Sequence, residues 1–149
     1  MRRDPTVFIL GEDVAEAGTP FKAVSYTHLD VYKRQVQMLA FSEGVLLAEK
    51  SGIPREVAVD VMVHSAIASP MIQYRGPFVL QQPEEAWFDV NMMQKDMVLA
   101  MELGRKLNVP VPTTAVSNEF LTAARGMGWG KLDFAVVFDV LARMSGVQK

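Results

Sequence analysis

The pattern of hydrophobic and polar residues divides the chain into three parts, and the first part, 1–23, carries one continuous apolar run. Residues 6–10 read Thr-Val-Phe-Ile-Leu and stand between Pro5 and Gly11. A short run of this kind is typical of a buried parallel strand, which needs neighbouring strands on both sides. No later segment has a clear partner pattern. We therefore predict a short, unpartnered, strand-like extension.

The third part, 36–149, has helix-starting and helix-breaking residues at regular intervals. A first helix over 36–50 is predicted to stop at Gly52, because glycine commonly ends helices. A second helix over 54–65 begins at proline, a favoured first helical residue, although four valines between 57 and 63 also alternate as in a strand. His64 lies near the end of this helix, so we predict a C-cap or surface residue rather than a catalyst.

A third main helix is predicted over 90–107 and ends at Asn108, with a proline just beyond. Its methionines and leucines fall on nearly all sides, which predicts a central, buried helix. Asp133 is a plausible N-cap for the last helix. The further predicted helices are 70–74, 114–125 and 133–144. The predicted fold class for 36–149 is therefore all-α.

The second part, 24–35, follows neither a helical nor a strand period. Its last six residues are Asp30-Val31-Tyr32-Lys33-Arg34-Gln35, which resemble the translation of a transposon-end adapter used to prepare DNA libraries. We interpret 24–35 as a junction between two gene fragments. An ordinary polar loop is the alternative. For 25–35 we predict irregular structure or an unpacked continuation of the first helix.

Composition narrows the class of protein further. The chain has 149 residues, 50% hydrophobic and 21% charged, with a net charge of −2, which fits one folded domain and gives no sign of a nucleic-acid or membrane partner. It has no cysteine and two separated histidines, so we expect no metal site. No apolar run reaches the roughly 18 residues of a membrane helix. We expect a cytoplasmic protein.

Several short motifs follow one another in a set order in the third part. Residues 43–52 read Glu-Gly-Val-Leu-Leu-Ala-Glu-Lys-Ser-Gly, and Phe88 is followed by Lys95-Asp96-Met97. Val-Pro at 111–112 precedes a helix, and a glycine-rich stretch over 126–130 precedes Asp133. In this order and spacing, 36–149 resembles the helical C-terminal domain of the β-hydroxyacid dehydrogenases, a fold of the 6-phosphogluconate dehydrogenase-like type.

This resemblance implies hydride transfer between NAD or NADP and a 3-hydroxyacid or semialdehyde. It implies that Lys95 contacts the cofactor and that Phe88 and Asp96 contact the substrate. Taken without the resemblance, Lys95 and Asp96 read as a solvated ion pair and Phe88 as a core residue. The resemblance also implies a homo-oligomer formed through the helical domain.

The resemblance implies two features that the sequence lacks. The family's Gly-x-Gly-x-x-Gly turn for the dinucleotide is absent, and the glycines at 126–130 follow a helix, so we predict a helix-to-helix turn there. The family's general acid/base lysine would lie upstream of Val36. Lys33 is near but lacks the asparagines that follow that lysine. We assign no catalytic residue and expect a fragment that is inactive alone.

The first part resembles a different family. Residues 2–14 and 18–22 are similar to the start of the β subunit of thiamine-diphosphate-dependent 2-oxoacid dehydrogenases. We interpret the whole chain as a chimera of two fragments joined at 24–35. Two alternative functions stay open: a fragment of that β subunit, and a helical dimerisation module.

Overall fold

The computed structural model describes residues 20–147, with side-chain environments from Asp30 onward. The strand-like run at 6–10 lies outside the described residues. The described chain is all-α: its helices are joined by turns and one isolated antiparallel bridge, between Asp89 and Asp133.

The first helix, α1, is longer than the sequence pattern predicts. It spans Pro20–Lys50, where the prediction began at 36, and it ends in a turn in which Gly52 has φ +91°. Proline and glycine are absent from 21–43, so nothing interrupts the helix. The expectation that 25–35 would not pack is wrong for its last residues. Val31 and Tyr32 contact the core, and Gln35 is fully buried.

The second helix, α2, spans Arg55–Val63 and resolves the ambiguous valine pattern in favour of helix. Ala58, Val59 and Val63 are buried, whereas Val57 and Val61 face solvent. His64 is the C-cap, exposed, with its Nδ1 2.8 Å from the carbonyl oxygen of Asp60. His64 is therefore a C-cap at the surface, as predicted.

The remaining α-helices follow the predicted order, with one correction at the last, and a 3-10 helix, Gly76–Val79, follows the first of them. They are α3 (Pro70–Arg75), α4 (Val90–Leu107), α5 (Pro112–Gly126) and α6 (Val137–Met144). The last helix was predicted as one unit over 133–144, but its first turn is a separate 3-10 helix, Phe134–Val136. Asp133 is the N-cap of that turn, as predicted, and its carboxylate accepts a hydrogen bond from the Ala135 N–H.

The long helix α1 occupies the centre of the fold and contacts α2, α4, α5 and α6. The core is one contiguous cluster; its largest fully buried members are Phe134, Phe138, Met38, Met93, Met97 and Leu121. Burial of α4 is one-sided, contrary to the prediction that it is the central helix, because Met92 and Val98 are exposed. Within 20–147, no helix is long and apolar enough to cross a bilayer.

Candidate functional site

The start of α4 carries the predicted site residues and is held in place by the loop before α6. The Val90 N–H donates to the carbonyl oxygen of Leu132 at 3.0 Å, and the Asn91 N–H donates to that of Gly130 at 3.1 Å. A Cβ at Gly130 would lie 2.9 Å from the Asn91 amide, so glycine permits this approach. The glycines at 126–130 thus form a helix-to-helix turn, as predicted, and brace α4.

Lys95 and Asp96 form an ion pair on α4, with Lys95 Nζ 3.5 Å from Asp96 Oδ1. The two partners differ in exposure: the Lys95 side chain is 67% exposed and that of Asp96 is 9% exposed. An exposed pair of this kind contributes little to stability. The arrangement does leave an ammonium facing solvent beside a carboxylate that is fixed in the protein surface.

Phe88 lies just before α4, in an aromatic cluster rather than beside Lys95 along the helix. Its ring is half-buried and packs edge to face on Phe134, with ring centroids 6.4 Å apart. Its neighbour Trp87 is exposed, stacks on Tyr74 and meets the ring edge of Phe78. The structure therefore pairs Lys95 with Asp96 and places Phe88 at the entrance to the same helix.

A buried ion pair beneath this cluster was not predicted from the sequence. Arg75 Nη1 lies 3.3 Å from Asp133 Oδ1, and both side chains are almost completely buried. The Arg75 guanidinium also lies 4.3 Å from the ring centroid of Phe134 and within 6.0 Å of those of Tyr74, Phe78 and Trp87. Burial lowers the pKa of Arg75, and the negative charge of Asp133 opposes that shift.

The sequence held a signal for each member of this pair. In α3, Arg75 comes three and four residues after the buried Ile72 and Met71, and Asp133 precedes the apolar run Phe-Ala-Val-Val-Phe. A charged residue placed among core residues needs a partner of opposite charge. The pattern could therefore have predicted two buried charges, although their separation of 58 positions in the sequence gives no indication that they pair.

A second polar network joins α4 to α5 beside the ion pair of Lys95. Arg125 Nη1 donates to Gln94 Oε1 at 2.7 Å, and Gln94 Nε2 donates to Thr122 Oγ1 at 2.8 Å. Gln94 is buried, so these bonds fix the packing of the two helices immediately next to Lys95. Lys33, by contrast, lies exposed on α1 with its ammonium 5.3 Å from the centroid of the Tyr32 ring.

These features define an all-helical domain with an exposed ammonium, that of Lys95, in the second turn of α4 and an aromatic cluster around Phe88 just before that helix. A solvent-facing ammonium fits the phosphate and ribose oxygens of a dinucleotide, since cations bind phosphate through charge-assisted hydrogen bonds. Residues 34–141 match the family model described as the NAD-binding domain of NADP-dependent 3-hydroxyisobutyrate dehydrogenase. The chain belongs to this family, and the family's cofactor is NAD or NADP.

Individual relatives agree with the family model. Over 104 residues the chain is 38% identical to glyoxylate/succinic semialdehyde reductase 1 of Arabidopsis thaliana, which covers 70% of this chain and 36% of that protein. It is 25% identical over 144 residues to 2-(hydroxymethyl)glutarate dehydrogenase of Eubacterium barkeri, covering 96% of this chain and 48% of the relative. The chain thus spans half or less of these relatives.

Solved structures give the same fold. The crystal structure of 3-hydroxyisobutyrate dehydrogenase from Salmonella typhimurium superposes with a TM-score of 0.72 at 27% identity, over 78% of this chain and 41% of that one. The Mycobacterium tuberculosis 3-hydroxyisobutyrate dehydrogenase superposes with a TM-score of 0.66 at 21% identity. The relatives named here are reductases or dehydrogenases of hydroxyacids and semialdehydes.

Proposed function

We propose that residues 36–149 are the helical C-terminal domain, of the 6-phosphogluconate dehydrogenase-like type, of an NAD(P)-dependent 3-hydroxyacid dehydrogenase. The observation that carries the proposal is the match of 34–141 to the family model, together with a superposition that covers 41% of a solved relative. In this proposal the nucleotide-binding turn belongs to the other domain of the parent enzyme, and the general acid/base lysine belongs to the part of the interdomain helix upstream of Val36.

Lys95 is the residue proposed to reach the cofactor from this domain. Its ammonium faces solvent, and the largely buried carboxylate of Asp96 holds it 3.5 Å away, which restricts the directions in which it points. A cation restrained in this way loses less side-chain entropy when it binds a phosphate or ribose oxygen. When bound, the nicotinamide cofactor supplies the hydride chemistry, and this domain supplies one wall of its site.

Phe88 and Asp96 are proposed to contribute to the substrate pocket. Phe88 stands at the entrance to α4 with its ring supported by Phe134, so it offers an apolar surface to the carbon skeleton of a small acid. The carboxylate of Asp96 pairs with the ammonium of Lys95 and adds a negative charge at this part of the surface. The relatives are named for small carboxylates such as glyoxylate, succinic semialdehyde and hydroxymethylglutarate, which supports a 3-hydroxyacid or semialdehyde as the substrate.

The junction and its chimeric origin are part of the same proposal. Gln35, the last residue of the adapter-like segment, is fully buried, and neither polar atom of its amide has a hydrogen-bond partner among the described residues. A buried, unpaired amide is costly, as expected of a residue not selected for its position. The alignment with the Eubacterium barkeri enzyme, which spans 96% of the chain, argues the other way. Sequencing the contiguous genomic DNA across codons 24–35 would distinguish a chimera of two gene fragments from one continuous gene.

The role of Lys95 is tested by titrating the purified chain with NAD and NADP while recording backbone amide spectra. We expect weak binding, because one wall of a cleft supplies few anchoring contacts, with shifts concentrated at Lys95 and Phe88. The Lys95→Ala variant should lose these shifts. Lys106→Ala, which removes an exposed lysine near the other end of α4, is the matched control and should keep them. Equal shifts in Lys95→Ala and wild type would contradict the assignment.

A second candidate function, association of two copies, is favoured by an apolar surface at the turn between α4 and α5. Leu107 and Val109 are more than half exposed at this turn, and Val116 is more than half exposed in the second turn of α5. Clustered exposed apolar side chains are typical of association surfaces. Sedimentation equilibrium of the intact chain tests this candidate: we expect a dimer that Val116→Lys converts to a monomer, and a monomeric wild-type chain would contradict it.

A further inference from the structure

The carboxylate of Asp133 is surrounded by hydrogen-bond donors from three separate segments. Oδ2 accepts from the backbone N–H groups of Trp87 and Phe88 at 3.1 and 3.2 Å. Oδ1 accepts from Arg75 Nη1 at 3.3 Å and from the Ala135 N–H at 3.0 Å. Four donors on one buried carboxylate are more than a helix cap requires, since the cap itself uses only the bond to Ala135.

The backbone that Asp133 holds is the segment that leads into α4. Trp87 and Phe88 immediately precede Asp89, whose carboxylate caps α4 by accepting from the Met92 N–H at 2.7 Å. The Phe88 carbonyl oxygen accepts in return from the Phe134 N–H at 3.1 Å, so the two segments are joined in both directions. A shift of the backbone at Trp87 and Phe88 would therefore change both the position of the Phe88 ring and the direction in which α4 begins.

Resting on the function proposed above, we infer that Asp133 is the positioning residue of this site, with Arg75 as its charge partner. It contacts neither cofactor nor substrate. Its carboxylate fixes the backbone at Trp87 and Phe88, and through α4 it fixes the place from which Lys95 reaches the cofactor. Arg75 supplies the opposite charge that a buried carboxylate requires, because an unpaired buried charge is strongly disfavoured.

The geometry explains why an isosteric amide would fail at this position. Asparagine has one acceptor oxygen and one NH2 group, whereas all four neighbours of the Asp133 carboxylate are donors. In Asp133→Asn the NH2 group must face either the two backbone N–H groups or the Arg75 side. In either orientation the NH2 group, a donor, faces other donors and cannot accept their hydrogen bonds. The variant therefore changes hydrogen bonding while it keeps the volume of the side chain.

The test is amide hydrogen exchange of the full chain, measured residue by residue. In the wild-type chain the Trp87 and Phe88 amides should be protected although Trp87 is an exposed residue. In Asp133→Asn their exchange should accelerate by roughly tenfold or more, because bonds to a charged acceptor are lost. Asp89→Asn is the matched control: it keeps the N-cap and changes only the contact to the exposed Lys131, so Trp87 and Phe88 should exchange as in wild type.

Two results would overturn the inference. One is unchanged exchange at Trp87 and Phe88 in Asp133→Asn, and the other is an equal acceleration at every protected amide, which would indicate a general loss of stability. If Asp133→Asn does not fold, amide exchange in Arg75→Lys and in the wild-type chain tests the inference instead. Arg75→Lys retains the positive charge and should retain protection at Trp87 and Phe88, whereas unprotected amides at these residues in wild type would refute the inference directly.

Adding NADP to the same samples separates this inference from the proposed function. The shifts that NADP causes at Lys95 should be smaller in Asp133→Asn than in Asp89→Asn, and equal shifts would contradict a positioning role. If NADP leaves the wild-type spectrum unchanged, the proposed function of Lys95 fails. The exchange comparison would still show whether Asp133 holds the Trp87 and Phe88 backbone.

Discussion

Replacing the buried Gln35 by methionine should stabilise the chain. Gln35 lies on α1 with no exposed surface, and its amide nitrogen and oxygen have no hydrogen-bond partner among the described residues. Methionine has nearly the same length and a similar helix propensity, so Gln35→Met removes the buried polar atoms without opening a cavity. Leaving a buried polar group unpaired costs about 1–3 kcal/mol, which is the gain we expect in the free energy of unfolding.

A gain of that size is measurable by thermal and urea unfolding followed by circular dichroism. In a domain of this length it corresponds to a rise of about 2–12 °C in the unfolding midpoint. Gln73→Met is the matched control, because Gln73 is exposed on α3 and its replacement should change stability by no more than about 0.5 kcal/mol. An unchanged or lower midpoint for Gln35→Met would mean that the Gln35 amide is paired and that its burial does not destabilise the chain.

Two further outcomes are expected. Gly104→Ala should lower the free energy of unfolding by about 1–3 kcal/mol in urea titrations, because its Cβ would lie 2.9 Å from the backbone oxygen of Val109; unchanged stability would show that this turn relaxes freely. The purified chain should give no absorbance change at the reduced-nicotinamide band with NAD or NADP and a panel of 3-hydroxyacids. In the proposed function, the positioning of the nicotinamide, worth roughly 7–11 kcal/mol, and the proton donor, worth a factor of about 10² to 10⁴, come from parts of the parent enzyme outside 36–149. Turnover above background would implicate Lys33 or His64.

Helices with recognisable capping or helix-ending residues at both ends were predicted well from the sequence. The range 90–107 matches α4 residue for residue, and its last residue is followed by Asn108, whose φ of 56° closes the helix. Local chemistry decides such ends, because capping residues satisfy backbone groups within one turn. The helix-to-helix turn over 126–130 and the C-cap at His64 were predictable for the same reason.

The extent of α1 and the buried ion pair were not predicted, for different physical reasons. Residues 25–35 have no helical period of their own, yet they continue α1 because a helix that has already formed extends at little cost through residues without proline or glycine. Packing against the core then buries Gln35. The Arg75–Asp133 pair depends on how α3 meets the loop before α6, and no local pattern encodes that contact.

The central claim, that 36–149 is the helical half of a 3-hydroxyacid dehydrogenase, is tested most directly by restoring the other half. Residues 36–149 would be joined to the nucleotide-binding half of the Salmonella typhimurium relative, which the chain matches over 41% of its length. We expect the hybrid to oxidise 3-hydroxyisobutyrate with NAD or NADP, and Lys95→Ala to raise the KM for the cofactor while Lys106→Ala does not. A hybrid that folds and binds cofactor but shows no turnover, beside an active parent enzyme, would contradict the claim.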